Sequence, residues 1–426
     1  MTFTLYVDGA RWRGHTEATR DAVRAAISAG THDHRDGDLV PVAKGNGYGL
    51  GNERLAAEAT RLGLTRLAVG TVLEAEALLA AYDGDLLVLE PFDPRVAATG
   101  AAWHRLAQHP EAARVVRTVS SREAWDALTG GPGPVRVVLE AFTSMGRFGM
   151  DADTITDLLA DDATVAALAD GRVRLEGLAL HLPLTQPSVD HRWVPGSRWK
   201  DAVVAPEPPA HASARVRECW LWGLGWVDRL GDLSDRLSAT GAEEAVTALT
   251  SAASLWVSHL DETELATLRA ALPEVALYAR IGTRLWLGDR AALAARGTVL
   301  AVHEVRKGDA SGYRQRRASR PGAVVVVGGG TAHGVALEAP SAAGTGRQRV
   351  VAAGTGVLEG LGRALSPFRV AGEQRWFAEP PHMQVSLLRL PAGTPVPQVG
   401  EELDCEVRLT TVHPDAVVGL DPETSP

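Results

Sequence analysis

Val42-Ala43-Lys44-Gly45-Asn46-Gly47-Tyr48-Gly49 is the stretch on which the fold turns. It follows the short apolar run Leu39–Ala43 and precedes Glu53–Leu62, where Leu55, Ala56, Ala59 and Leu62 recur at helical spacing. An apolar strand, a glycine-rich turn and an amphipathic helix make one β–α unit, and the glycines let the backbone reverse sharply after the lysine. The same rhythm continues outward. Arg66–Val69 predicts a strand, Val72–Ala81 a helix, and Asp85–Leu89, Val115–Val119, Val135–Leu139 and Leu175–Leu180 further strands with helical segments between them. Helices at Ala212–Leu237, Ala242–Leu249 and Glu262–Ala271 and strands at Leu255–Leu260 and Val275–Ile281 extend the series. Short strands apolar on both faces, separated by helices, predict a parallel sheet covered by helices. This many units favour a closed (β/α)8 TIM barrel over an open sheet.

Beyond about Asp289 the pattern changes to short strand-like runs punctuated by Gly and Pro: Val299–Val305, Ala323–Val327, Val350–Ala353, Met383–Leu390 and Cys405–Thr411. The expected organisation is a barrel over residues 9–288 and a mainly β C-terminal domain over 289–426. Thr2–Val7 is strand-like and is expected to join the second domain. Pro183–Pro209 lacks periodicity and is long for a connection, which marks a functional loop, a lid or a disordered excursion. The segment Leu420–Pro426 is expected to fray.

Composition removes several function classes. Of 426 residues, 45% are hydrophobic and 22% charged, with 43 Lys and Arg against 52 Asp and Glu for a formal charge of −9. No dense basic stripe exists, so nucleic-acid binding is disfavoured. The longest apolar runs fall far short of the ~20 residues of a bilayer span, so no membrane partner is expected. Met1–Ala10 does not read as a secretion signal. The 2 cysteines, Cys219 and Cys405, are isolated, which excludes a disulfide scaffold and fits a reducing, cytoplasmic setting.

Lys44 stands at the C-terminal end of a buried strand, the catalytic face of a barrel. A lysine there loses solvation, its pKa falls, and its free amine can condense with an aldehyde. On spacing alone, a surface lysine in a glycine-rich turn is an equally good reading.

Ala43-Lys-Gly-Asn-Gly-Tyr-Gly49 resembles the pyridoxal-phosphate lysine motif of the alanine racemase family, and further segments follow in that family's order. They are Glu140-Ala-Phe-Thr-Ser-Met-Gly-Arg147-Phe-Gly149, Leu175-Glu-Gly-Leu-Ala-Leu-His181, Arg280-Ile-Gly282-Thr283 and Lys307-Gly-Asp-Ala-Ser-Gly312-Tyr313. The resemblance implies a pyridoxal 5'-phosphate-dependent racemase, alanine being the first substrate to expect. Lys44 would hold the cofactor and act as one base; Tyr313 would be the second, reaching across a head-to-tail homodimer. Tyr48, Gly282 and Thr283 would receive the cofactor phosphate, with Ser258 either adding a hydroxyl or capping a helix. Arg280 would face the pyridine nitrogen. Being permanently charged, it would leave that nitrogen unprotonated and temper the electron sink, which favours racemisation over transamination. His181 would orient Arg280, while Arg147 and Met383 would meet the substrate. Glu140, where relatives often carry a carbamylated lysine, would restrain Arg147 directly.

The chain departs from that pattern in places. Pro380-Pro-His-Met-Gln384 puts Gln384 where an acid is usual and adds His382, which leaves the substrate side chain open. The tryptophans of Trp220-Leu-Trp222-Gly-Leu-Gly-Trp226 read better as core than as a ligand platform. Val327-Gly-Gly-Gly-Thr-Ala-His-Gly334 lacks the ending of a P-loop and reads as a β-turn region. Thr31-His-Asp-His-Arg-Asp36 reads as a solvated loop, and no metal is expected. The rival functions are an amino-acid decarboxylase of the same fold, a racemase for another amino acid, and a non-catalytic cofactor-binding protein.

Overall fold

The computed structural model describes residues 1–28, 37–186, 209–337 and 364–420. After β1 (Phe3–Val7), eight strands close into a barrel: β2 (Gly37–Ala43), β3 (Arg66–Val69), β4 (Asp85–Phe92), β5 (Val115–Val119), β6 (Val135–Ala141), β7 (Val173–Leu180), β8 (Ser254–Ser258) and β9 (Ala276–Ile281). Every neighbouring pair is parallel, and the ring shuts where Gly37–Pro41 pairs with Leu277–Ile281. The expected (β/α)8 barrel followed by a mainly β domain is the architecture this chain adopts.

Local chemistry explains the elements. Thr71 caps the helix Val72–Leu78 in a capping box with Glu74, and Ser121, Asp151, Asp161, Ser213 and Asp261 cap five other helices through side-chain oxygens. Val40, Val42, Ala68, Leu87, Val116, Val138, Ala179 and Trp256 fill the interior, the layered packing that a barrel of this size needs. Toward the strand N-termini the filling turns ionic. Arg136 grips Asp85 through two bonds of 2.6 and 2.8 Å and meets Glu176 at 2.8 Å. Trp220, Trp222 and Trp226 of the helix Ala214–Ala239 are all buried, as core residues.

The chain divides into two units, one of Thr16–Lys44 with Asn52–Leu285, the other of Met1–His15, Gly45–Gly51 and Trp286–Pro426. The second is built on β1 together with β10 (Leu293–Val305), β11 (Ala310–Ser311), β12 (Arg316–Arg317), β13 (Gly322–Gly328), β14 (Leu365–Val370), β15 (Glu373–Phe377), β16 (Val385–Pro391), β17 (Glu402–Cys405) and β18 (Ala416–Val418). Its sheet runs β13-β16-β15-β14-β17-β10-β1-β18, with β13 also paired to β10. β1 is antiparallel to β10 and parallel to β18, so the N-terminal strand does pair within this domain.

Some sequence expectations need correction. The run Cys405–Thr411 is strand only up to Cys405. The next partner in register on β14 is Pro367, which accepts from the Glu406 amide but has no N–H to return, so the ladder stops there. The Gly328–Gly330 run is a place of close backbone approach: a Cβ on Gly330 would lie 2.2 Å from the His382 carbonyl oxygen. Val350–Ala353, the Thr31–Asp36 loop and most of the Pro183–Pro209 excursion lie outside the described residues. Among the described residues, no helix is long and apolar enough to cross a membrane, and no cluster of three or more metal-ligating side chains occurs.

Asp415 fastens β1 to this domain. Its carboxylate accepts from the Thr2 and Phe3 amides at 2.8 and 3.0 Å and meets His333 Nε2 at 3.1 Å. Burial opposes its charge, but these donors outweigh burial and hold its pKa down at about 2. Asp415→Ala is expected to lower stability by about 1–3 kcal/mol at neutral pH. The lost contribution is full above an unfolded-state pKa of ~3.9 and disappears as pH falls through the folded value. Urea unfolding of both proteins at pH 7 and pH 3 checks this; an equal gap at both pH values would contradict it.

Candidate active site

The C-terminal ends of the barrel strands gather titratable side chains. Lys44 follows β2, Glu140 closes β6, His181 follows β7, Ser258 ends β8 with His259 next, and Arg280 lies near the end of β9. Parallel strands put all of these at one mouth. Gly70, at the end of β3, leaves the room: a Cβ there would sit 2.6 Å from a Glu74 carboxylate oxygen and 3.1 Å from Lys44 Cβ.

Arg280 is the buried charge of this mouth, only 7% exposed. Its register partner is Ser258, and one Nη donates to the Leu180 carbonyl at 3.1 Å. Its Nε has no acceptor among the described residues. Burial, with some help from Arg147, lowers its pKa to about 10, so it remains a cation at physiological pH. Glu140, 2% exposed, also has a side-chain oxygen, Oε2, without a partner among the described residues. Burial raises its pKa, against the pull of Arg280 and Arg147.

Two histidines are kept neutral. His181 Nδ1 lies 3.0 Å from Ser258 Oγ, which also accepts the Leu182 amide at 3.1 Å. Burial first, then the charges of Arg280 and Arg147, drive the His181 pKa down to about 2. His259 packs edge-on against it at 5.2 Å and is pushed down to about 4 by partial burial and Arg280. His259 is the residue that the sequence reading missed. It adopts φ +62, uncommon for a non-glycine residue and found disproportionately at working sites. The available signal was a Ser-His pair ending a barrel strand.

The loop after β6 carries Arg147. The Phe142 amide donates to the Met150 carbonyl and the Met150 amide to the Glu140 carbonyl, both at 2.8 Å, which closes it, and Gly149, at φ +119, packs where a Cβ would lie 2.3 Å from the Ala141 backbone. Ser144 donates its amide to Glu218 at 2.6 Å, and Thr143 Oγ1 donates to the His181 carbonyl. Arg147 itself is exposed, its guanidinium 5.0 Å from the Phe148 ring. No hydrogen bond or ion pair joins it to Glu140 among the described residues; the two act on each other through charge.

Lys44 is open to water along its side chain, yet its ammonium is pushed below the ordinary range by desolvation and by Arg147 and Arg280, with Glu74 opposing. The shift is toward a free amine.

Of the other residues singled out in the sequence, Gly282 and Thr283 lie where β9 gives way to the short helix Thr283–Leu287. Ser258 bonds within the histidine pair, while Asp261 caps the following helix. Tyr48, buried at φ +57, belongs to the second unit, as do Tyr313 and Met383. There Asn46 ties the same turn down by donating to the Leu409 and Val412 carbonyls at 3.0 and 2.6 Å. Tyr313 and Met383 border a cavity of about 580 Å³ with His382 and Gln384.

Residues 19–196 match the family described as alanine racemase, N-terminal domain. The alanine racemase of Streptomyces coelicolor is 30% identical over 177 residues, 40% of this chain and 43% of that protein. That of Geobacillus stearothermophilus is 36% identical over 116 residues, 27% and 28% of the two lengths. The chain thus aligns with less than half the length of these relatives. Its fold is similar over nearly the whole chain to solved alanine racemases. That of Corynebacterium glutamicum superposes with a TM-score of 0.58 at 15% identity, covering 98% of each chain. That of Bartonella henselae, described with covalently bound pyridoxal phosphate, gives 0.57 at 13% identity, over 97% of this chain and 98% of that one. Residues 19–196 are thus similar in sequence to the N-terminal domain of alanine racemases, and the fold, a barrel with a β domain, is similar to theirs over nearly the whole chain.

Proposed function

We propose that the protein is a pyridoxal-phosphate-dependent amino-acid racemase with alanine as the first substrate to test, working through Lys44 and Tyr313 in a homodimer. The observation that carries this reading is the pairing of a depressed lysine amine with a buried, charged Arg280 whose Nε lacks a partner among the described residues, both at the barrel mouth. These residues fit the cofactor: the amine suits its aldehyde, and the orphaned Nε–H suits the ring nitrogen. The amides after β9 and the Thr283 hydroxyl suit its phosphate.

When bound, pyridoxal phosphate supplies an aldehyde for the amino group and an electron sink for the α-carbon. The chain's residues do the rest. Arg280 stays charged and hands on no proton, so the sink is held weak. His181, neutral and fixed by Ser258, keeps a second positive charge away from Arg280. Lys44 Nζ carries a proton on one side of the α-carbon and Tyr313 Oη on the other; inversion needs both. Tyr313 is 84% exposed in the single chain, as a base that serves a partner subunit would be. Arg147 is available for the substrate carboxylate.

Purified protein supplied with pyridoxal phosphate is expected to turn yellow, and borohydride to fix the cofactor at Lys44. L-Alanine, L-serine and L-lysine in deuterated water then separate the rivals. Racemisation gives α-deuterated mixed enantiomers, decarboxylation gives an amine, and a carrier protein gives neither. A colourless protein, or label fixed elsewhere, overturns the assignment.

Arg280→Glu is expected to lower racemisation by about 10²-fold and to raise keto-acid formation, read by chiral chromatography and a keto-acid assay. Unchanged partitioning would remove Arg280 from reaction control. The histidines predict a pH effect. Their folded pKa values lie below the unfolded value of ~6.5, so their stabilisation is full above that pH and is lost as pH falls toward about 4. Denaturant unfolding at pH 7 and 5 should show wild type losing more stability than His181→Asn; equal losses would contradict it.

A further inference from the structure

Tyr313 sits at the tip of the β11–β12 hairpin, in the turn Gly312–Gln315 closed by the Gln315 amide on the Gly312 carbonyl at 3.2 Å. A hairpin tip is ordinarily the least ordered part of a domain, whereas a proton-transfer group must hold its place to a fraction of an ångström. Glu379, which the sequence reading assigned no role, resolves the conflict. It is only 3% exposed, and its carboxylate accepts the Tyr313 amide at 3.1 Å, the Arg314 amide at 3.3 Å and His382 Nε2 at 2.6 Å. Burial opposes its charge; the donors prevail and hold its carboxyl below the ordinary range. An ionised carboxylate only accepts, so Nε2 of His382 carries the hydrogen.

The His382 ring then packs, tilted, against the Tyr313 ring, centroids 4.4 Å apart at 36°. Gly312 completes the fit: at φ +75, a Cβ there would lie 2.1 Å from the Glu379 carboxyl carbon. One buried carboxylate therefore holds both the backbone of the tyrosine and the platform under its ring. In a neutral side chain the same grip would be weaker, because bonds to a charged acceptor are worth about twice those between neutral groups.

We propose that Glu379, acting through His382, is the positioning residue of the second base, fixing the Tyr313 phenol for proton delivery. The proposal rests on the role given to Tyr313 above. It assigns to this chain a Glu–His–Tyr constellation lying entirely within the β domain.

The test uses the full-length protein with Glu379→Ala, Glu379→Gln and Tyr313→Phe. In cofactor-free Glu379→Ala, amide hydrogen exchange across 310–317 is expected to accelerate. In the loaded enzyme kcat should fall about 10²-fold with KM within about threefold, the penalty of a misplaced base. The α-deuterium isotope effect should rise in one direction of racemisation only, since each base serves one face. Glu379→Gln, which keeps an acceptor, should recover part of kcat. Should Glu379→Ala fail to fold, His382→Gln carries the same one-sided isotope effect with little change in exchange. Unchanged kcat, or isotope effects raised equally in both directions, overturns the clamp. Wild-type turnover in Tyr313→Phe would overturn the second base itself, whereas an inactive Tyr313→Phe beside an unaltered Glu379→Ala overturns the clamp alone.

Discussion

The barrel depends on one seam, the pairing of β2 with β9. Seven of the eight joints could form in an open sheet; only this one makes the strands a ring and brings Lys44 and Arg280 to the same mouth. The seam starts at Gly37, with φ +96, where a Cβ would stand 1.9 Å from the Leu277 carbonyl oxygen. No side chain fits there, so a single hydrogen atom at position 37 is a condition for closure. Once the ring is shut, the register places Arg280 beside Ser258 and Ser258 beside His181 with no further choice.

Electrostatics at the mouth follows from that confinement. Loss of water comes first there, and the charges of Arg280 and Arg147 add to it: the lysine tends toward its free amine and the histidines toward neutrality. At Glu140 the two oppose each other, and loss of water outweighs the arginines and raises its pKa. The site thus keeps its positive charge in fixed guanidinium groups and leaves mobile protons to the amine and the phenol, a division suited to transferring one proton at a time.

Most of the barrel was legible because buried parallel strands announce themselves as apolar runs, and all the expected barrel strands fall within a few residues of those observed. Lys44, His181 and Arg280 were singled out through motif order, and all three lie at the barrel mouth. What escaped the sequence was geometric. His259 is marked by its backbone angle, Glu379 by three donors that converge from residues 66 positions away and nearer, and neither leaves a pattern in a linear reading. The strands β14 and β15 were passed over because their alternation is short and broken by Pro367 and exposed charge. The Cys405 run was read too long because its terminator is a proline on the neighbouring strand.

The pairing of β1 has a consequence for biosynthesis. β1 leaves the ribosome well before its partners and finds them only after Leu293 and then Ala416 have been made. Phe3–Val7, an apolar strand without a mate, waits while the whole intervening barrel sequence is made. Contacts this distant in sequence make assembly slow. An exposed, unmated edge is the kind that chaperones and aggregates both recognise, so yield in recombinant expression should hinge on that five-residue strand more than on any residue of the chemistry.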